Sequence, residues 1–409
     1  MHLSDDGKRL VAFSYYHAKK NGAGPHYQDT LITGWDTSTR KQLFRRRRPG
    51  MESWMALSAD ARVLAAPYPP LDRIAREKAV ITGRPIEQTL RLEDAATGEP
   101  LLTFPMRKDP PSPLAFSPDG RLLATYTWQR KPGAVTSTVQ LWETATAAVA
   151  LTRTVALRSK ATFSSDGRLM AFTEPAQEIV VWDLMLGREL RRFRGFDAEV
   201  TCLAFSPDGR RLISGLDDST LLVWDIGRHE RTANKLDAEG VAKAWADLAG
   251  ADAAHAFQAR WKLASAPEQA IPFLKEHLPP AKAADPQHLR RLLTDLDSEQ
   301  FAVREKVQKE LEILGDLAEP ALRQTLANKP SLEIRQRVRA VLELLRDPVR
   351  QPELLQALRA VAVLEDIGAP EARRLLQELA KGAPEARLTR EAKASLKRLE
   401  RRQVTKPRP

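Results

Sequence analysis

Up to residue 226 the chain alternates short β-branched and aromatic runs with polar turns; beyond it, apolar residues recur every three or four positions. Runs such as Ile179-Val180-Val181-Trp182, set between Asp-Gly turns, predict strands. Stripes such as Phe301, Val303, Val307, Leu311 and Leu314 predict amphipathic helices. Strands followed by helices, without alternation, argue for two consecutive domains rather than one α/β sheet. The expected division is a strand domain over 1–226, a linker over 227–237, a helical domain over 238–402 and a basic disordered tail over 403–409.

The strand domain repeats itself. One phrase occurs five times, as Ser4-Asp5-Asp6-Gly7, Ser58-Ala59-Asp60-Ala61, Ser117-Pro118-Asp119-Gly120, Ser164-Ser165-Asp166-Gly167 and Ser206-Pro207-Asp208-Gly209. A polar turn closed by Asp-Gly between apolar runs signals a hairpin, because Gly reaches positive φ at little steric cost. A second phrase follows each time, as Trp35-Asp36, Glu93-Asp94, Trp142-Glu143, Trp182-Asp183 and Trp224-Asp225. From each acid of the second phrase to the next Asp of the first the interval is 23 to 25 residues, whereas within a repeat it runs from 17 to 34. The length variation therefore sits in one connection, and each unit reads as a four-stranded antiparallel sheet.

This region resembles the WD-repeat β-propellers, whose blades are four-stranded and whose repeat is about 40–45 residues. The last two repeats carry the likeness best, with Ala204-Phe205-Ser206-Pro207-Asp208-Gly209 running on to Val223-Trp224-Asp225. The resemblance implies a hydrogen-bonded set around Trp224 that includes Ser214 and Asp218, although the family's His position reads Gly195-Phe196. In the fourth repeat Phe172 and Ala176 stand at the equivalent places, so that set is expected to be absent there. The first repeat has only Met1-His2-Leu3 before its turn, so its inner strand is expected to be missing. About five blades then result, in a ring that is left open or completed elsewhere. The favoured expectation is an upstream portion of a longer chain; the other is an open arc that a partner completes.

The helical region resembles HEAT-type repeats, and together the two parts look like a bacterial WD-repeat propeller with a HEAT-like C-terminal domain. Ile313-Leu314-Gly315-Asp316 through Leu322 and Asp366-Ile367-Gly368 through Arg373 each read as a helix, a Gly break and a second helix. Asp297 with Gln300, and Ser265 with Glu268, are expected capping boxes. Trp245 and Trp261, on apolar stripes, are expected in the core.

In propellers of this kind the variable connections share one face of the disc, which makes that face the expected partner surface. The insertions run from about 14 to 30, 67 to 88 and 126 to 137 and carry Tyr15, Tyr16, Tyr68 and Trp128. Arg45, Arg46, Arg47 and Arg48 are expected to reach the same face, with at least half of them solvated, since side chains alternate along a strand. Such a run suits an acidic or phosphorylated partner, because Arg pairs bidentately with those groups; it also suits a solvated strand end that blunts an edge.

Composition narrows the chemistry. The 409 residues carry a net charge of +11 and one cysteine, which excludes a disulfide framework. Residues 387–409 alone hold nine basic and two acidic residues, so Lys393, Lys397, Arg398, Arg401, Arg402, Lys406 and Arg408 are the place where nucleic acid would bind if it binds at all. No phosphate-binding Gly loop, nucleophile elbow or i,i+4 His pair is present. Cys202, within Val200-Thr201-Cys202-Leu203-Ala204, is expected to be an inert buried thiol. No catalytic, cofactor or metal residue is assigned. The expectation is a non-enzymatic, cytoplasmic scaffold for protein partners with no membrane association. The alternatives are a regulatory or sensory C-terminal part of a larger enzyme or transcription regulator, and a nucleic-acid-binding adaptor.

Overall fold

The computed structural model describes residues 1–18, 27–49, 55–68, 89–105, 111–131, 134–155, 160–174, 177–227, 235–328, 330–346 and 348–404, and among these nineteen strands precede every helix. The chain parts into two compact units between His229 and Glu230, inside the expected linker.

The first unit is a five-blade β-propeller. Blade 1 holds β1 (His2–Leu3), β2 (Arg9–Ala18), β3 (Tyr27–Asp36) and β4 (Gln42–Pro49). Blade 2 holds β5 (Ala56–Leu57), β6 (Val63–Tyr68), β7 (Thr89–Asp94) and β8 (Pro100–Thr103); blade 3 holds β9 (Ser112–Phe116), β10 (Leu122–Lys131), β11 (Ala134–Glu143) and β12 (Ala148–Val155). Blade 4 holds β13 (Ala161–Phe163), β14 (Leu169–Glu174), β15 (Glu178–Asp183) and β16 (Arg188–Phe193), and blade 5 holds β17 (Val200–Phe205), β18 (Arg211–Leu216) and β19 (Leu221–Asp225). Every sheet is antiparallel, four have four strands, and blade 5 has three among the described residues. Inner strands β5, β9, β13 and β17 lie side by side in that order. His2 Nε2 reaches Ser58 O at 3.1 Å and Asp5 N donates to Ala59 O at 2.8 Å, tying blade 1 to blade 2.

Two expectations change here. Blade 1 does have an inner strand, because His2 and Leu3 pair with Val11 and Leu10. Two of the three insertions also lengthen strands as well as loops: β2 and β3 pair over ten residues each, as do β10 and β11.

The recurring phrase is a local hydrogen-bond device. Ser4, Ser58, Ser117, Ser164 and Ser206 each donate to the Asp two residues on at 2.5–2.7 Å. Each also accepts from the backbone five residues on at 2.9 Å. The closing Gly120, Gly167 and Gly209 have φ of +70° to +71°. In the second repeat Ala61 takes that place at φ +56°, which costs about 1–2 kcal/mol for a residue with a Cβ. Its methyl is fully buried between blades 1 and 2, which returns roughly 0.8 kcal/mol.

The second unit is all helical. Ten α-helices occur among the described residues: α1 (Ala238–Ala249), α2 (Ala253–Ser265), α3 (Pro267–His277), α4 (Pro286–Asp295), α5 (Phe301–Leu314), α6 (Glu319–Ala327), α7 (Leu332–Arg346), α8 (Pro352–Ile367), α9 (Pro370–Leu379) and α10 (Arg387–Val404). The breaks fall at Gly315 and Gly368, with φ of +57° and +62°, values at which a Cβ would be strained. Helices α4 to α7 share one apolar cluster around Leu296, Leu311, Leu322 and Val341. Helix α8 is buried from Arg359 to Ile367, packed against α1, α2, α9 and α10. Within it Asp366 takes both ends of the Arg260 guanidinium at 2.6 and 2.9 Å. Neither capping box forms. Helix α5 is capped at Gln300 and α3 at Ala266, both without a side-chain bond, and Ser265 instead donates to Lys262 O. Trp261 is buried, and half-buried Trp245 packs near Phe273 and His277 at centroid distances of 6.1 and 6.0 Å.

Candidate protein-interaction surface

Strand β4 divides the four arginines by its pleat. Phe44 closes over Gly34 on the side facing blade 2, so Arg46 and Arg48 follow it and Arg45 and Arg47 point the other way. Arg45 and Arg47 are exposed, and Arg47 pairs with Asp29. Arg46 donates to Glu93 at 2.7 Å and to Ala95 O at 3.3 Å, while buried Arg48 bonds Pro67 O and lies 3.5 Å from Glu93. Only Arg45 and Arg47 of the run are therefore exposed, and Arg47 is so while paired with Asp29.

Glu93 is the hub that sequence reasoning did not single out. It is 1% exposed and faces three guanidinium groups, since Arg91 also donates to it at 2.8 Å. Arg91 in turn lies 3.7 Å from the ring centre of exposed Tyr68. Burial alone would raise the Glu93 carboxyl, but the bonds from Arg91 and Arg46 and the charges of Arg46 and Arg48 hold it below the ordinary carboxylate range. The signal was in the repeat: Glu93 stands where the other four blades have Trp, opposite an Arg run one blade earlier.

That contact recurs along the array. The residue in or directly after the outer strand that faces the next blade's Trp position is Arg46, Phe104, Arg153 and Phe193 in blades 1 to 4. Arg46 pairs with Glu93, Phe104 meets Trp142 edge-on at 5.4 Å, Arg153 lies 4.1 Å over Trp182, and Phe193 stacks on Trp224 at 4.9 Å. The Trp Nε1 is satisfied only where the repeat supplies a hydroxyl. Trp142 donates to Thr125 at 2.8 Å and Trp224 to Ser214 at 2.9 Å. In blade 4 Phe172 occupies that position and the buried Trp182 Nε1 has no partner. Asp218 serves the turn, accepting from Thr220 N and Oγ1. Asp36 does the same for Ser38 and Thr39, and those bonds bring its carboxyl down to about 2.

The other expected partner residues fall as follows. Tyr15 and Tyr16 lie in β2 opposite Thr30 and Asp29, and Trp128 lies in β10 opposite Ser137; their side chains are outside the described residues. In the basic C-terminal helix Arg398 and Arg402 reach buried Glu365 at 2.8 and 2.9 Å, while Lys393, Lys397 and Arg401 are exposed. Residues 405–409, with Lys406 and Arg408, lie outside the described part. Cys202 overturns its expectation: the thiol is exposed, and among the described residues no further sheet follows blade 5. Among the described residues no group of His, Cys, Asp and Glu is placed to hold a metal, and no helix is long and apolar enough to cross a membrane.

Residues 187–225 match the family model described as "WD domain, G-beta repeat". The match begins one residue before β16 and ends with β19, so the sequence repeat is offset from the blade by one strand. Centriole proteome protein 16 of Chlamydomonas reinhardtii is 35% identical over 142 residues, 33% of this chain and 6% of that protein. Nuclear distribution protein PAC1 of Arthroderma benhamiae is 42% identical over 62 residues, 15% of this chain and 13% of that protein. The guanine nucleotide-binding protein subunit beta of Saccharomyces cerevisiae is 37% identical over 65 residues, 16% of this chain and 15% of that protein. The chain thus spans only 6% to 15% of the length of these curated relatives. Five blades of one architecture make the strand unit a five-blade β-propeller, and residues 187–225 within it are similar to the WD domain, G-beta repeat.

Proposed function

We infer that the protein is a non-enzymatic interaction scaffold whose propeller presents an arginine and tyrosine surface to an acidic or phosphorylated protein segment. The observation that carries this reading is the split of the arginine run. Arg46 and Arg48 are spent inside the blade interface, while Arg45, Arg47 and Tyr68 stay open to solvent. Guanidinium groups pair bidentately with carboxylate or phosphate, and an exposed Tyr adds rigid apolar area at low entropic cost. The helical unit, read as a HEAT-like stack from its Gly-broken helix pairs, would add a second protein-binding surface.

The test compares full-length protein with Arg45→Glu/Arg47→Glu in quantitative affinity capture from cells of the source organism. Both substitutions sit at exposed positions, so the melting temperature serves as the folding control. Partners retained by the wild type and lost by the variant support the reading. An identical partner set refutes the propeller surface. The nucleic-acid alternative is weakened by the engagement of Arg398 and Arg402 with Glu365. A steep fall of log K with log salt on a generic duplex would revive it.

A further inference from the structure

The helical unit is built in two layers. Helices α4 to α7 bury one apolar cluster drawn entirely from residues 289–345. Helix α8 is the centre of the other layer, packed on α1, α2, α3, α9 and α10. The chain passes between the layers twice. The first crossing, residues 278–285, has no helix, and the second holds only the short 3₁₀ turn Pro348–Arg350.

Both crossings converge on the start of α10. In the turn between α9 and α10, Ala383 N donates to Ala281 O of the first crossing at 2.8 Å. A Cβ on the neighbouring Gly382 would stand 2.5 Å from Thr389 Oγ1 and 2.9 Å from Ala281 N, so the fit there is close. At the second crossing Gln351 Oε1 lies 3.5 Å from where a Cβ on Gly315 would stand, which sets the break after α5 against it. Arg387, the first residue of α10, then reaches two separate points of the α4–α7 layer. Its backbone N–H donates to Asp316 Oδ2 at 3.1 Å, and its Nη2 donates to Leu345 O at 2.6 Å. Its Nε lies 2.9 Å from Asp316 Oδ1, without the alignment of a hydrogen bond.

The closed joint is polar and carries a cost. Asp316 is 6% exposed and Thr389 fully buried, yet neither Asp316 Oδ1 nor Thr389 Oγ1 has a hydrogen-bond partner. Buried polar atoms without bonds bear a desolvation penalty that water relieves. The same desolvation lifts the Asp316 carboxyl above its ordinary range, against the pull of Arg387 and Arg390 and with that of Glu319.

We propose that α4 to α7 move as one body against the α8 layer about these two crossings, and that Arg387 is the latch that holds the joint closed. One side chain clasps both the turn after α5 and the end of α7, so its release frees two contacts at once. Each layer keeps its own packed helices through the motion, which is hinge closure about a few loop residues. The angle between the layers sets the surface that the helical unit presents. The latch does not depend on what the propeller's arginine surface binds.

Pulsed electron paramagnetic resonance on the full chain tests this. Cys202→Ser removes the native thiol, and nitroxides go on Lys306→Cys in α5 and Gln377→Cys in α9, both exposed positions. With Arg387 in place one narrow distance is expected. Arg387→Ala is expected to add a second, distinct distance, and Asp316→Ala the same one, with no further change in the double variant. Arg387→Lys, which keeps the charge but lacks the fork that reaches both acceptors, should populate the second distance less. Amide exchange separates hinge motion from unfolding. In Arg387→Ala the amide at position 387 should exchange about tenfold faster or more, as expected when a charge-assisted bond holding the joint is lost. Leu311, Val341, Val361 and Leu364, in the cores of the two layers, should keep their protection. An unchanged single distance in Arg387→Ala overturns the proposal, as do two distances already present with Arg387 in place. Protection lost throughout α4 to α7 overturns it as well, because Arg387 would then be a folding contact and not a latch.

Discussion

Replacing Glu93 by Gln removes the carboxylate that faces Arg46, Arg48 and Arg91 while keeping the side-chain shape. Arg46 and Arg91 are each about one-sixth exposed and can turn partly to water, but Arg48, at 3%, cannot. Removing one partner of a buried ion pair costs about 3–5 kcal/mol, because the charge left behind has lost its compensation. For a unit of this size, each kcal/mol moves the melting point by about 2–4 °C, so the expected drop is on the order of 10 °C. Tryptophan fluorescence is the readout, since six of the eight tryptophans precede residue 227. The pH dependence gives an independent check with a defined sign. The folded-state pKa of Glu93 lies below its ordinary 4.5, so its stabilisation is complete above that value and is lost as pH falls through the folded pKa. Wild-type stability should therefore fall more steeply than that of Glu93→Gln below pH 4.5, and the two should converge in acid. In a double-mutant cycle with Arg46→Met, the coupling should be about 1–3 kcal/mol. A loss under about 1 kcal/mol, with parallel pH profiles, would refute the idea that this cluster holds blades 1 and 2 together.

Trp142→Ala should destabilise the propeller by about 3–5 kcal/mol, and Trp182→Ala by roughly half as much. Trp182 is half-buried and its Nε1 makes no bond, so equal losses in denaturant titrations would contradict this ordering. The Asp36 carboxyl should titrate by NMR near its value of about 2, and Ser38→Ala with Thr39→Val should move the midpoint up toward 3.8. An unmoved midpoint would rule out the turn bonds as the cause. Arg260→Ala removes the guanidinium that bonds both carboxylate oxygens of buried Asp366 and should cost about 3–5 kcal/mol, followed by circular dichroism at 222 nm; a change within error would show that the pair is dispensable.

Short-range physics made much of this protein legible from its sequence. The Ser–Asp turns close through bonds spanning two to five residues, and Gly315 and Gly368 break helices by their own backbone preference. Those devices work wherever the residues occur, so five blades and the helix boundaries could be read directly. The Ser265 capping box was misread because that Ser had a competing local acceptor in Lys262 O. What the sequence could not decide was which side of a strand a neighbour covers. Arg46 and Arg48 look equivalent to Arg45 and Arg47 until Glu93, 47 residues later, claims two of them. Cys202 sits in an apolar inner-strand pattern that reads as buried, yet its thiol is open. Burial belongs to the pair of surfaces and not to either strand, so only the tertiary structure could assign it.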